Sequence, residues 1–189
     1  MVQSSDTPAQ WQAQLQSLWD REAIREVLMR YCRGIDRADE DSLRSAYWPD
    51  ASDCHGAYQG SAQGFLDYAL PVLRRGGLRS HIIGNVLIEI HGQQAAVESS
   101  FIALQAPMTA AGVHTETFLC GRYADRFEQR EGQWRIAERT VIYDWIEERA
   151  RPELNDAAAL FGPRQPVGSN LPHDAVYALL ARVRAWPQA

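Results

Sequence analysis

Three side chains, Tyr31, Asp36 and His81, are of the types that carry proton-transfer chemistry. A carboxylate beside an imidazole fixes the ring's tautomer and stabilises the imidazolium that forms when the ring takes up a proton. A phenol near such a pair would hydrogen-bond a developing oxyanion or protonate a leaving hydroxyl. Taken singly, each residue has a plainer explanation. A tyrosine on an apolar helix face is usually core, an aspartate at a helix end usually a cap, and a lone strand histidine usually structural. Two further polar sets are candidates for substrate binding. His114 and Glu116 share one strand face with Phe118 and Cys120, and Arg139 shares another with Tyr143. The inward face of a strand is defined here only up to a flip, so each set points into a pocket or away from it. Arg139 would hold an anionic substrate group or make a surface ion pair. A zinc site from His81, His114 and a carboxylate lacks local ligand spacing, so no metal is expected. His55 and His91 read as solvent-exposed.

Composition narrows the chemistry. All 19 basic residues are arginine. Without lysine the chain alone cannot be a Schiff-base aldolase, a pyridoxal-phosphate enzyme or a Walker-type phosphate binder, since each needs an amine at a fixed place. Three cysteines, Cys32, Cys54 and Cys120, are an odd number without C-x-x-C spacing, which argues against a disulfide framework or a zinc ribbon. A net charge of −5, with no basic cluster longer than Arg74-Arg75, argues against nucleic acid or an anionic membrane as partner. The N-terminus has no apolar core of signal-peptide type and no apolar run approaches a membrane span, so a cytoplasmic location is expected.

The elements that must position these residues follow from periodicity. The 189 residues suit one domain with its own core. Trp11, Leu15, Leu18 and Trp19 predict a first helix over about 8–19, and Asp20 reads as the cap of a second. Ile24, Val27, Leu28, Tyr31 and Ile35 make one apolar stripe on that second helix, which the polar cluster Asp36–Asp41 ends. A short helix from Asp41 to about Tyr47 follows, then an edge strand over Ala51–Tyr58 and a helix over 61–75. Four long strands come next: Leu78–His91, Ala95–Met108, His114–Glu128 and Gln133–Glu147, joined by hairpin turns. Helices followed by an antiparallel meander predict an α+β fold. Residues 149–172 are rich in proline and glycine, and a last helix runs from about Asp174 to Trp186. The division expected is a domain over 1–148 and a tail over 149–189 that packs on it or on a neighbouring subunit.

The ordered set of motifs resembles the SnoaL-like families of the NTF2-like superfamily. Asp20-Arg21-Glu22-Ala23-Ile24, then Tyr31 and Asp36, then Tyr47 to Ala51, match the opening of those families. His81 to Asn85 matches their strand with H-x-x-x-N, and Gly121–Arg126 and Gly132–Ala137 match their last two strands. The resemblance covers roughly residues 18–147. It implies a cone-shaped, strongly curved mixed or antiparallel sheet whose pocket is closed by the N-terminal helices. It also implies that Asp36 and His81 form the catalytic dyad common in the families, with Tyr31 as the helix tyrosine several members add. Members include scytalone dehydratase, bile-acid 7α-dehydratase, a hexachlorocyclohexane dehydrochlorinase and diarylpropane lyases.

On that footing the expected function is a cofactor-independent lyase acting on a hydrophobic hydroxylated aromatic or polycyclic compound, by dehydration or deformylation. An isomerase or cyclase of steroid or polyketide type is an alternative, since only the step after proton removal differs. A non-catalytic binder or a protein like a dioxygenase small subunit is another, because fold alone confers no activity. Neither metal nor organic cofactor is required, and the chain is expected to act as a homodimer or homotrimer.

Overall fold

A computed structural model describes residues 7–107, 115–150, 166 and 168–186. The first helix, α1 (Pro8–Arg37), is continuous through Asp20. Thr7 and Gln10 form a capping box, Pro8 occupies the first turn, and Ala38 ends the helix in the left-handed region at φ 51°. The expected break at Asp20 is absent because its carboxylate serves a distant partner instead of the helix. One oxygen accepts from Trp134 Nε1 at 2.8 Å and from Gln129 Nε2 and Gln16 Nε2 at 3.1 Å each. Asp20 therefore ties mid-helix to the far end of the sheet. The stripe from Ile24 to Ile35 is buried, whereas Trp11, Leu15, Leu18 and Trp19 are exposed.

A short α2 (Glu40–Ala46) follows, capped by Asp39, which accepts from the Ser42 backbone and hydroxyl. It crosses α1 so closely that a Cβ on Gly34 would stand 2.7 Å from Leu43 Cγ. Only glycine permits that approach. Strand β1 (Tyr47–His55) turns through Gly56, at φ +62°, into the short β2 (Tyr58–Ser61). Helix α3 (Ala62–Arg74) begins at the Ser61 cap. Long strands β3 (Gly77–His91), β4 (Gln94–Pro107), β5 (Thr115–Arg130) and β6 (Gln133–Ala150) complete the sheet, and α4 (Ala175–Arg184) lies in the tail.

The strand order is β2-β1-β6-β5-β4-β3, with β1 parallel to β6 and every other pair antiparallel. This is the expected α+β architecture with a mixed sheet, unclosed and curved. The expected edge strand over 51–58 lies one place inside the sheet, because β2, too short to leave an alternating pattern, takes the edge. Register shifts in β1, β3 and the β5–β6 pair bend the sheet. Its concave face carries Phe101, Ala103, Tyr123, Phe127, Ile136 and Val141, against which α1 sets Ile24, Val27, Leu28 and Tyr31 and α3 sets Phe65 and Leu66.

Candidate active site

Asp36 stands in the last turn of α1 and His81 in β3, and the two are in direct contact. Asp36 Oδ1 lies 2.6 Å from His81 Nδ1, and Oδ2 accepts from the His81 backbone N–H at 2.9 Å. Both side chains are nearly covered, at 11% and 6% exposure. A carboxylate can only accept here, so Nδ1 carries a proton, and in the neutral ring Nε2 holds the lone pair. Among the described residues Nε2 has no hydrogen-bond partner. The register explains the inward aim of the ring. His81 shares the concave face with Arg79 and Ile83, and a bulge before Val86 restores that face for Val86 and Ile88.

Arg79 fixes the meeting of helix and strand. Its buried guanidinium donates to the carbonyls of Ile35 (3.2 Å), Leu73 (2.9 Å) and Gly76 (3.0 Å) and to Asn170 Oδ1 (2.9 Å). It thus holds the residue before Asp36 from a position two residues before His81. Burial lowers its pKa, and the Asp36 charge opposes that shift. Sequence reasoning passed over Arg79, although its two-residue spacing from His81 on one strand face was a usable signal.

The dyad opens on a cleft of about 590 Å³ between α1 and β3. Leu28, Met29, Cys32, Ile83 and Val86 supply its apolar wall, and Arg25, Arg33 and Arg37 its cationic one. Burial pushes the Cys32 thiol up to about 12, so it stays protonated. A second cavity of about 410 Å³ shares Asp36 and Arg37 and is bounded also by Ser80, Gln105, Glu116 and Gly168-Ser169.

Tyr31 does not line the cleft. At 3.6 residues per turn it lies about 140° around α1 from Asp36, whereas Arg25, Met29, Cys32 and Asp36 fall within about 60° of one another. Its ring, 1% exposed, meets Tyr47 and Tyr123 edge-on at 5.9 and 5.8 Å. Burial drives its phenol far above the ordinary range, so it is neutral.

Arg139 is not at the surface, so it is not a surface ion pair. It forms a two-point ion pair with Asp125, at 2.7 and 2.6 Å, with both side chains fully buried. Its guanidinium carbon sits 4.0 Å from the Tyr123 ring centroid and 4.2 Å from that of Tyr31. Burial opposes the charge, but Asp125 more than offsets it and holds Arg139 protonated. Asp53 and Asp125 flank Arg139 on the neighbouring strands, and Asp53 accepts from the Tyr47 hydroxyl at 2.6 Å. Two carboxylates around one arginine in the core had no counterpart in the sequence reading.

Tyr143 is on the same concave face but partly exposed, with its hydroxyl over Gly56 and away from the dyad's cleft. Alternation puts Glu116, Phe118 and Cys120 on the convex face, and Glu116 reaches the second cavity at the end of the sheet. His114 lies outside the described residues. His55, expected in solvent, is stacked on Phe65 at 4.2 Å and only 21% exposed.

A curved, unclosed mixed sheet with helices packed on its concave face is the architecture of the NTF2-like class. Residues 16–140 match the family model of the SnoaL-like domain, and the chain belongs to that family. Among curated proteins none matches significantly. Solved structures similar to it include a type 2 hexachlorocyclohexane dehydrochlorinase, LinA, with a TM-score of 0.65 and 21% identity over 74% of this chain and 98% of that one. A Novosphingobium aromaticivorans protein provisionally assigned as a scytalone dehydratase has a TM-score of 0.62 and 18% identity, over 72% and 95%. A Mycobacterium tuberculosis protein of unknown function has a TM-score of 0.55 and 24% identity over 90% of both chains. At these identities the likeness is one of fold. Among the described residues no helix is long and apolar enough to cross a membrane.

Proposed function

We propose that this protein is a cofactor-independent lyase in which His81 is the general base and Asp36 holds it in place. The carrying observation is the Asp36 carboxylate spanning both the backbone N–H and Nδ1 of His81 at the wall of a cleft, with Nε2 unpartnered among the described residues. A substrate lying along Leu28, Ile83 and Val86 would present a C–H or phenolic O–H to Nε2. The base takes the proton, the freed electron pair forms a new double bond, and the leaving group departs with its own bonding pair. Asp36 stabilises the resulting imidazolium. The substrate class is a hydrophobic hydroxylated aromatic or polycyclic compound, and the LinA and scytalone dehydratase likenesses support elimination as the reaction type.

The displacement of Tyr31 changes the expected division of labour. It is not placed to protonate a leaving hydroxyl, which leaves His81 as the proton carrier in the cleft. Elimination then fits an anionic leaving group, or a hydroxyl on the same face to which the imidazolium returns the proton. A single proton carrier also suits isomerisation, in which His81 redelivers the proton to another carbon, and this observation keeps that second reading. Product mass separates the two: loss of a fragment marks a lyase, equal mass an isomerase.

The test is turnover across a panel of hydroxylated aromatic and polycyclic compounds, read by mass spectrometry. His81→Ala and Asp36→Ala should each lower the rate by about 10²–10⁴-fold while leaving the fold intact. Full turnover by either variant would remove the dyad from the mechanism.

A further inference from the structure

The cleft is cationic although the chain carries a net charge of −5. Arg25, Met29 and Arg33 follow one another at four-residue intervals on α1, forming a ridge along the same cleft that His81 faces. The lone carboxylate on the cleft wall, Asp36, is already committed to His81. Arg37, the third arginine, is paired with Asp174 at 3.1 Å and donates to the Asp36 carbonyl.

The other two arginines are differently placed. Arg25 has a loose contact with Glu22 at 3.8 Å. Arg33 has no hydrogen bond or ion pair with any described residue, and its Nε is buried without a partner. Asp39, whose charge Arg33 influences, is itself occupied by Ser42 and Tyr177. A half-buried guanidinium with open donors beside an apolar wall is an arrangement that a bound anion completes.

We propose that the ligand of this cleft carries a carboxylate, held by Arg33 with Arg25 as a second cation, while its apolar body lies on Leu28, Ile83 and Val86. Arg33 is three residues from Asp36, about 4.5 Å along the helix axis, so the acid and the reacting atom lie at neighbouring turns. The substrate is thus an amphiphilic aromatic or polycyclic acid, and Arg33 selects it over the neutral analogue. This deepens the lyase reading and rests on it for the fate of the ligand, but binding itself does not require turnover.

The test is calorimetric titration of the full chain with 2-naphthoate and with its neutral counterpart 2-naphthamide, at low and high salt. His81 ring resonances are followed by NMR in the same titrations. Native protein should bind the carboxylate about tenfold or more tightly than the amide, with the difference shrinking as salt rises. Arg33→Gln should lose about tenfold for the carboxylate and leave the amide unchanged, and Arg33→Lys should fall between. Equal affinities, an unaffected Arg33→Gln, no binding of either probe at millimolar concentration, or binding that leaves the His81 resonances unmoved would each overturn the proposal. A His81→Ala protein that still turns over a substrate defeats the base assignment without altering any of these results, so the two failures are distinguishable.

Discussion

Asp125 and Arg139 face each other across β5 and β6 with no solvent exposure, and Tyr31 and Tyr123 cover the guanidinium. Removing one partner of such a pair leaves an uncompensated charge in the core, which costs far more than the pair contributes. Asp125→Ala should therefore destabilise the fold by about 3–5 kcal/mol in urea titrations. The triple variant Asp53→Asn/Asp125→Leu/Arg139→Met, which removes the arginine together with both carboxylates that flank it, should recover most of that loss. A single variant as stable as the native chain would show that the pair does not organise the core. The same arrangement accounts for the buried position of Arg139. Its residue type suggested an anion ligand, but its true neighbours come from strands 14 residues away in one direction and more than 80 in the other.

At the scale of elements, periodicity exposed most of the architecture. The apolar stripe from Ile24 to Ile35 and the alternation of four long strands arise from local geometry, so they are readable without partners. What was hidden depended on distance. Asp20 looks like a cap until Trp134, 114 residues on, claims its carboxylate. Likewise β2 has four residues, too few for a pattern, and owes its existence to β1. Asp36 and His81 were legible through the family motifs. The displacement of Tyr31 was legible too, had helix phase been counted, whereas the partnerless state of Arg33 needed the packed structure.

The docking of the tail offers an element-scale prediction. Tyr177 donates to Asp39 at 3.0 Å, and Arg37 pairs with Asp174. Burial, with the hydrogen bond to Asp39, pushes the Tyr177 phenol from its ordinary 10.0 up to about 12. A raised value means that the docked state binds the proton more tightly. Its contribution is complete below pH 10.0 and lost as pH rises through about 12. Asp39 and Asp174 are shifted the other way. Asp39 overcomes its burial through hydrogen bonds from Ser42 and Tyr177, and Asp174 is lowered by the backbone N–H groups of Ser169 and Val176. Their contribution is present above the usual carboxylate range and lost as pH falls. Trp186 fluorescence and amide exchange in α4 should report an alkaline release that Tyr177→Phe diminishes. An alkaline transition identical in that variant would assign it to other groups.

For the whole molecule, the convex side of the sheet carries a cross-strand row of Ile82, Ile102, Cys120 and Trp145. Ile82 is 55% exposed and Trp145 61%. A contiguous apolar band of this kind marks a surface for association. Light scattering behind size exclusion should find a homodimer or homotrimer, and Trp145→Arg should shift it toward the monomer. A native protein that runs as a monomer at micromolar concentration would show that the band is not an interface between copies.

The tail holds α1 at its last residue in two ways. The Leu171 backbone donates to the Arg37 carbonyl at 2.8 Å, and Asp174 takes the Arg37 side chain. The tail also reaches Arg79 through Asn170 and bounds the second cavity through Gly168 and Ser169. The family model ends at residue 140, so this strap lies beyond the stretch that the family shares. Among the described residues it acts on the neighbours of Asp36 and has no hydrogen bond with the carboxylate or its histidine. Changes of length or sequence after residue 166 can therefore reshape the rim beside the dyad while the core, the curved sheet and the Asp36–His81 pair stay as they are. Along a lineage, that is a place where the shape of the cavity can drift while the Asp36–His81 contact is kept.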